Sequence, residues 1–119
     1  MAAILIIDDD RQMRRLLARI LKGAGHSIYE AENGRVGMEL FRQQRPALVI
    51  SDIVMPDTEG IETIMALRRD NPDLLIIAIS GGSDPIYLDM ATKLGATGSL
   101  QKPFSPDQLL RLVDVLLNP

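Results

Sequence analysis

Five polar side chains stand at the ends of apolar segments in this 119-residue chain: Asp8, Asp9, Asp52, Ser80 and Lys102. Asp52 shows the pattern best, because it closes the run "ALVISD". A turn aspartate usually sits among Gly, Ser and Asn instead. Each of the five has an ordinary explanation by itself, such as capping the next helix. Together, at equivalent positions, they predict one shared site.

The residue types of this predicted site suit phosphoryl chemistry. Clustered carboxylates repel one another, and a hard divalent cation is the usual remedy. Mg²⁺ takes few carboxylates and accepts phosphate oxygens, so it suits two or three acids beside an open position. A lysine and a hydroxyl would hold the other oxygens of a phosphoryl group. Asp52 is the best candidate for a nucleophile that forms an aspartyl phosphate, because its strand is predicted to lie between the other groups.

The elements that position these residues alternate between buried strands and amphipathic helices. We predict strands at 2–7, 27–31, 47–51, 74–80 and 98–101, and helices from Met13 to the stop signal at 23–25 and at 33–44, 60–70, 83–94 and 105–117. Asp10, Asp84 and Ser105 are predicted N-caps, with Pro85 and Pro106 at first helical positions. Leu16 and Met65 are predicted on inward, apolar faces. The alternation predicts a parallel sheet covered by helices on both faces, with ligands bound at the carboxyl ends of the strands.

Composition narrows the classes of function. Hydrophobic residues make up 46% and aromatic residues 3%, which predicts a folded domain with an aliphatic core. The absence of cysteine excludes disulfides and thiol chemistry. No apolar run could span a bilayer and no signal peptide is evident, so we expect a cytoplasmic protein with no membrane contact. A net charge of −3 without a basic tract argues against direct nucleic-acid binding.

Four motifs resemble the receiver domain of two-component response regulators: "IIDDD" (6–10), "SDIVMPDTEG" (51–60), "AIS" (78–80) and "KPF" (102–104). The resemblance extends over essentially the whole chain and keeps the family's order and spacing. It implies one receiver domain at 1–119 with a flavodoxin-like, three-layer α/β/α fold. The sheet would have five parallel strands in the order 2-1-3-4-5, with five helices.

The resemblance also implies a role for each site residue. Asp52 would accept a phosphoryl group from a sensor histidine kinase or a histidine phosphotransfer protein. Asp9, Asp52 and the backbone carbonyl of Val54 would bind Mg²⁺, with Asp8 acting mainly through water. Lys102, ahead of a cis bond to Pro103, and Ser80 would contact phosphoryl oxygens. The domain would catalyse its own phosphorylation and slow dephosphorylation, and would be a switch and not a turnover enzyme.

The resemblance implies an output through a downstream target protein or an output domain, as a monomer or a weak phosphorylation-dependent dimer. Ser99 stands where many receivers have a Tyr or Phe ring, which turns inward when the serine or threonine at the phosphoryl site moves. Because this chain lacks the ring, we predict that phosphorylation instead changes the conformation of the segment "SGGSDP" (80–85). By the same resemblance, positions 54 and 82 influence water attack on the acyl phosphate. Val54 and Gly82 offer no side-chain hydrogen bond to water, which predicts a long-lived phosphoform. Arg11, Met13, Arg14 and Arg15, at the start of the first helix, lie where a kinase would approach.

Three alternatives compete with a phosphorylated receiver. A haloacid-dehalogenase-type phosphatase needs a second aspartate two residues after the first, and Val54 occupies that position. A flavodoxin-like binding module needs a phosphate-cradling loop where this chain has the acidic "DDDRQM". A pseudo-receiver, which is a protein-interaction module that is never phosphorylated, usually lacks one of the acids or the lysine, and this chain has them all.

Overall fold

The computed structural model describes residues 1–53, 59–81 and 86–119, apart from the side chains at 59, 87 and 88. The strands are β1 (Ala3–Ile7), β2 (Ser27–Ala31), β3 (Leu48–Asp52), β4 (Leu75–Ser80) and β5 (Gly98–Gln101). The helices are α1 (Arg11–Gly23), α2 (Gly34–Gln44), α3 (Glu59–Asp70), α4 (Ile86–Leu94) and α5 (Pro106–Leu117). None of these helices, within the described residues, is long and apolar enough to cross a membrane.

The five strands form one parallel sheet in the order β2-β1-β3-β4-β5, which confirms the predicted topology. Ile7 pairs with Ala31 on one side and with Ser51 on the other, so β1 lies between β2 and β3. The chain goes outward from β1 to β2 and then returns to place β3 on the opposite side of β1. This reversal is the switch point of the fold, and a crevice forms there beyond the carboxyl ends of the strands.

Aliphatic side chains fill both faces of the sheet. Alternate residues of a strand point to opposite faces, so Leu5 and Ile7 pack on one side while Ile4 and Ile6 pack on the other. The first side is covered by α2, α3 and α4, and the second by α1 and α5. The result is the predicted three-layer arrangement. Its interior is built from Ile, Leu and Val, as the low aromatic content requires.

The predicted helix starts at Asp10 and Ser105 are confirmed. The Asp10 side chain accepts hydrogen bonds from the backbone N–H groups of Gln12 and Met13. Ser105 and Gln108 form a reciprocal capping box, with Pro106 at the first turn of α5. The caps predicted for α4, Asp84 and Pro85, lie outside the described residues.

Two side chains predicted to face inward are exposed instead. Leu16 is 45% exposed and Met65 is 46% exposed. The inward face of α1 is centred on Leu17 and Leu21, and Leu16 lies roughly 100° around the helix from Leu17. Met65 is displaced from Ile64 in the same way. In both helices the apolar pattern is wider than the face that the sheet covers.

Candidate functional site

The predicted site residues converge at the carboxyl end of the sheet. Asp8 directly follows β1, Asp52 is the last residue of β3, Ser80 is the last residue of β4, and Lys102 directly follows β5. Asp52 therefore belongs to its strand, one residue later than predicted. Asp8, Asp9 and Asp52 each place a carboxylate oxygen within 4.8 Å of the others.

An ion pair joins the lysine to the carboxylates. Lys102 Nζ donates a hydrogen bond to Asp52 Oδ2 at 3.1 Å and lies 3.8 Å from Asp8 Oδ2. Asp8 and Ser80 are each 1% exposed and Asp52 is 5% exposed, whereas Asp9 is open to solvent. The Lys102 side chain is 19% exposed. The site therefore has a buried floor of polar groups and an open rim at Asp9.

Asp8 is held at two points and has one carboxylate oxygen left over. Its N–H donates to the carbonyl oxygen of Ala31 at 3.0 Å, and its Oδ1 accepts from the N–H of Asp10 at 2.9 Å. Oδ2 has no hydrogen-bond partner among the residues that the structure describes. The ion-pair contact with Lys102 Nζ, at 3.8 Å, is too long for a hydrogen bond, and a buried carboxylate oxygen without a hydrogen bond is costly, so this atom could accept a cation or a donor from outside the chain.

Burial raises the pKa of Asp8 from 3.8 to about 6. Removal from water disfavours the charged form, and the negative charges of Asp52 and Asp9 act in the same direction. The hydrogen bond from Asp10 and the positive charge of Lys102 oppose this rise in the pKa without cancelling it. The three carboxylates thus carry more negative charge than Lys102 alone neutralises.

These features fit a hard divalent cation. The cluster offers three carboxylate oxygens, which are ligands of the kind that Mg²⁺ and Ca²⁺ bind. Oδ2 of Asp8, which has no hydrogen-bond partner among the described residues, belongs to one of these carboxylates. Asp9, Asp52 and Asp8 could hold the ion. Whether Asp8 acts through water stays a prediction, as does the carbonyl ligand from Val54, which lies outside the described residues.

The lysine is positioned by the β4 and β5 ends. The N–H of Lys102 donates to the carbonyl oxygen of Ser80 at 2.8 Å, and the Lys102–Pro103 peptide bond is cis, as the family resemblance implied. A Cβ atom added to Gly81 would lie 3.3 Å from Lys102 Cδ. The small residue at 81 therefore leaves room for the lysine stem as it reaches across to Asp52.

Gly60 makes a contact that the sequence could not reveal. A Cβ atom at this position would overlap the carbonyl oxygen of Asp52 and would lie 2.6 Å from Ile53 Cα. The first turn of α3 therefore packs directly on the backbone that carries Asp52. With no side chain, Gly60 allows this close approach.

The predicted output features are partly visible. Ser99 is exposed on β5, where it pairs with Ala78 of β4, so no aromatic ring occupies this edge position. Gly82 and most of the segment 80–85 lie outside the described residues. The predicted movement of that segment and the predicted lifetime of the phosphoform remain predictions.

A five-stranded parallel sheet of this order, with three carboxylates and a lysine at its carboxyl edge, defines a receiver-type signalling domain. Residues 4–114 match the family model described as the response regulator receiver domain, and the chain belongs to that family. This assignment sets aside the phosphatase and the flavodoxin-like module as families for the chain.

Relatives of known name agree with the family. The chain is 34% identical to the response regulator MprA of Mycolicibacterium vanbaalenii over 114 aligned residues. This alignment covers 96% of the chain and 49% of that protein. It is 33% identical over 112 residues to the chemotaxis protein CheY of Thermotoga maritima, with 93% of both chains covered. The structure of the chemotaxis response regulator CheY4 of Vibrio cholerae superposes with a TM-score of 0.88, at 30% identity and 98% coverage of both chains. The chain thus spans about half the length of one of these curated relatives and nearly all of another.

Proposed function

We propose that this chain is a phosphorylation-dependent switch in which Asp52 accepts a phosphoryl group from a phosphohistidine. The observation that carries the proposal is the geometry around Asp52. Its carboxylate is 5% exposed, is paired with Lys102 at 3.1 Å, and belongs to a cluster of three acids. A purely structural ion pair would not need two further carboxylates beside it, since their repulsion opposes folding.

The chemistry proceeds by displacement at phosphorus. A carboxylate oxygen of Asp52 attacks the phosphorus atom, a new P–O bond forms, and the P–N bond to the donor imidazole breaks with its electron pair leaving on nitrogen. Lys102 would pair with one phosphoryl oxygen and the Ser80 hydroxyl would donate to another. Mg²⁺, when bound to the acid cluster, would neutralise the carboxylates and the incoming phosphoryl charge. Water attack on the acyl phosphate would later restore Asp52.

The donor would be a sensor histidine kinase or a histidine phosphotransfer protein, approaching the acid edge along the start of α1. The output would be a downstream target protein or an output domain. Because the chain itself carries the phosphoryl group, it would act as a switch and not as a turnover enzyme. A cytoplasmic location stays a prediction.

The test is the intact mass of the protein after incubation with acetyl phosphate, with and without Mg²⁺. We expect a single phosphoryl adduct on the wild type that requires Mg²⁺ and is absent from Asp52→Asn. Asp70→Asn serves as the matched control, because Asp70 is an exposed aspartate at the far end of α3. An adduct on Asp52→Asn would contradict the assignment of the acceptor. No adduct under any condition would favour the pseudo-receiver, with the acid edge as a metal or protein contact.

A further inference from the structure

Arg14 connects three elements behind the acid cluster. Its side chain is 15% exposed and lies between α1, the end of β1 and β2. Nη1 donates a hydrogen bond to the backbone carbonyl oxygen of Asp8 at 2.8 Å. Nε donates to Glu30 Oε1 on β2 at 3.3 Å. The two contacts use different nitrogens of one planar guanidinium, so the position of the group is fixed from two directions.

The carbonyl that Arg14 binds belongs to the peptide unit between Asp8 and Asp9. Rotation of this peptide would change the direction of both side chains, because it alters the backbone dihedrals on either side of the bond. The other polar groups of Asp8 are fixed by Ala31 and Asp10. Arg14 therefore supplies the third restraint, and Asp8 Oδ2 is left without a hydrogen-bond partner among the described residues, 3.8 Å from Lys102 Nζ.

We propose that Arg14, oriented by Glu30, is a positioning residue that holds the Asp8–Asp9 peptide in the conformation that binds the divalent cation. The proposal rests on the proposed function, since it concerns the metal site of that function. Arg14 contacts neither the phosphoryl group nor the ion in this account, and acts through the two aspartates. Glu30 acts one step further out, by keeping the guanidinium in place.

The direction in which Mg²⁺ affinity changes when Arg14 is replaced distinguishes a positioning role from a simple effect of its charge. A guanidinium close to a cation site repels the cation, so removal of its charge alone would strengthen Mg²⁺ binding. Loss of a hydrogen bond that orients a metal ligand weakens metal binding instead, typically by roughly tenfold to a hundredfold. Arg15 is the matched control, because it is the next residue on α1, carries the same charge and is exposed.

The experiment measures Mg²⁺ binding to the unphosphorylated protein by isothermal titration calorimetry, with Mn²⁺ binding by electron paramagnetic resonance as a second readout. We expect Arg14→Met to bind Mg²⁺ roughly tenfold more weakly than the wild type. Arg15→Met should bind as well as the wild type or more tightly. Circular dichroism and thermal unfolding of each variant establish that the folded protein is being titrated.

Two further variants keep the proposal testable if Arg14→Met fails to fold. Arg14→Lys retains the charge, but one ammonium group cannot reproduce the two-directional fork, so we expect weaker Mg²⁺ binding than in the wild type. Glu30→Gln leaves Arg14 intact and removes the carboxylate that orients it, and should weaken binding several-fold more than Glu32→Gln, which removes the same charge from the exposed residue two positions later.

The positioning role would be overturned if Arg14→Met bound Mg²⁺ at least as strongly as the wild type. If Arg14→Met does not fold, wild-type binding by both Arg14→Lys and Glu30→Gln would overturn it. Either result would leave the proposed function intact. Absence of Mg²⁺ binding by the wild type, together with absence of a phosphoryl adduct, would overturn both. The two failures are therefore distinguishable.

Discussion

Asp8 should make the stability of the metal-free protein depend on pH. Its pKa is 3.8 in the unfolded chain and about 6 in the folded protein. At a pH below 4 the carboxyl is protonated in both states, so its burial carries no charge penalty. As pH rises from 4 to 6, the unfolded chain releases the proton first, and the free energy of unfolding falls. The loss is at most about 3 kcal/mol, from roughly two pKa units.

The measurement is urea unfolding in the presence of a chelator at a series of pH values. Asp8→Asn removes the titrating group and keeps a similar shape, so we expect it to be more stable than the wild type at neutral pH. The difference between the two should vanish towards pH 4. Saturating Mg²⁺ should reverse the order at neutral pH by stabilising the folded wild type. An equal pH dependence in both proteins would contradict this account of Asp8.

Gly60 should tolerate no side chain, because α3 begins against the backbone of Asp52 and Ile53. Gly60→Ala would force that backbone apart, and overpacking of this kind costs about 1–3 kcal/mol of unfolding free energy. The shift also moves Asp52, so the rate of phosphorylation by acetyl phosphate should fall.

Gly23 provides the control for Gly60. A Cβ atom added there meets nothing within 4 Å among the described residues, and Gly23 ends α1. Gly23→Ala should be neutral or slightly stabilising, since alanine favours the helix by up to about 1 kcal/mol. Equal effects of the two substitutions on denaturant unfolding would show that close packing at Gly60 is not what matters.

The helix ends opposite the site are tied together by one side chain, Arg68 of α3. Its Nε and Nη2 donate to the carbonyl oxygen of Gly95, at 3.0 and 2.8 Å, at the end of α4. Its Nη1 donates to the carbonyl oxygens of Asn71 and Pro72 at 3.1 and 2.7 Å. Gly95 has a φ of +129°, and a Cβ atom there would collide with the Arg68 stem. The arginine and the glycine therefore form one connected joint between α3, the turn that follows it and the end of α4.

Loss of this joint should destabilise the protein. We expect Arg68→Met to lower the free energy of unfolding by about 2 kcal/mol or more, because hydrogen bonds from a charged donor contribute about 1.5–3 kcal/mol each. Arg68→Lys should rescue little, since one ammonium cannot reach carbonyls in several directions. Arg69→Met is the control, because Arg69 is exposed and pairs with Asp70 across a surface bridge of small value. Equal destabilisation by Arg68→Met and Arg69→Met would contradict the claim that the hydrogen bonds of Arg68 stabilise the fold.

The elements were predictable because their signals are local. Periodicity separated strands from helices, and the caps at Asp10 and Ser105 follow from short-range hydrogen bonds that the sequence displays. Leu16 and Met65 were assigned to the wrong face because periodicity measures the width of an apolar stripe, whereas burial depends on how much of it the sheet covers. The joint at Arg68 was missed, because contacts between residues 27 positions apart leave no local pattern.

The site was predictable for a different reason. Parallel topology brings every strand end to one edge, so residue types at Asp8, Asp52 and Lys102 were enough to predict a cluster. The unequal burial of Asp8 and Asp9 did not follow from adjacent positions in sequence. It depends on the turn between β1 and α1, which directs one side chain into the sheet edge and the other into solvent.

The charge of the molecule is divided unevenly between α1 and the rest. Five of the 13 basic residues lie in α1, which has no acidic residue, and the remaining segments carry the other eight together with all 16 acids. The rest of the chain therefore has a net charge of −8 against +5 on one helix. Part of this basic face lines a groove of about 450 Å³ formed by Arg15, Ala18, Arg19, Lys22 and Glu30. Such a division favours approach of an acidic surface along α1.

This asymmetry predicts a difference between protein and small-molecule phosphodonors. Reversing two exposed charges, Arg15→Glu with Arg19→Glu, should slow phosphotransfer from any phosphohistidine protein that labels the wild type, by roughly tenfold at low salt. The reaction with acetyl phosphate should change little, because a small donor needs no docking surface. The control carries the same charge change elsewhere, as Arg42→Glu with Arg69→Glu, on α2 and α3.

Because charge steering weakens as salt is added, the rates of the α1 variant and the wild type should converge at high ionic strength. Equal slowing by both double variants would mean that net charge, and not the face of α1, governs the encounter.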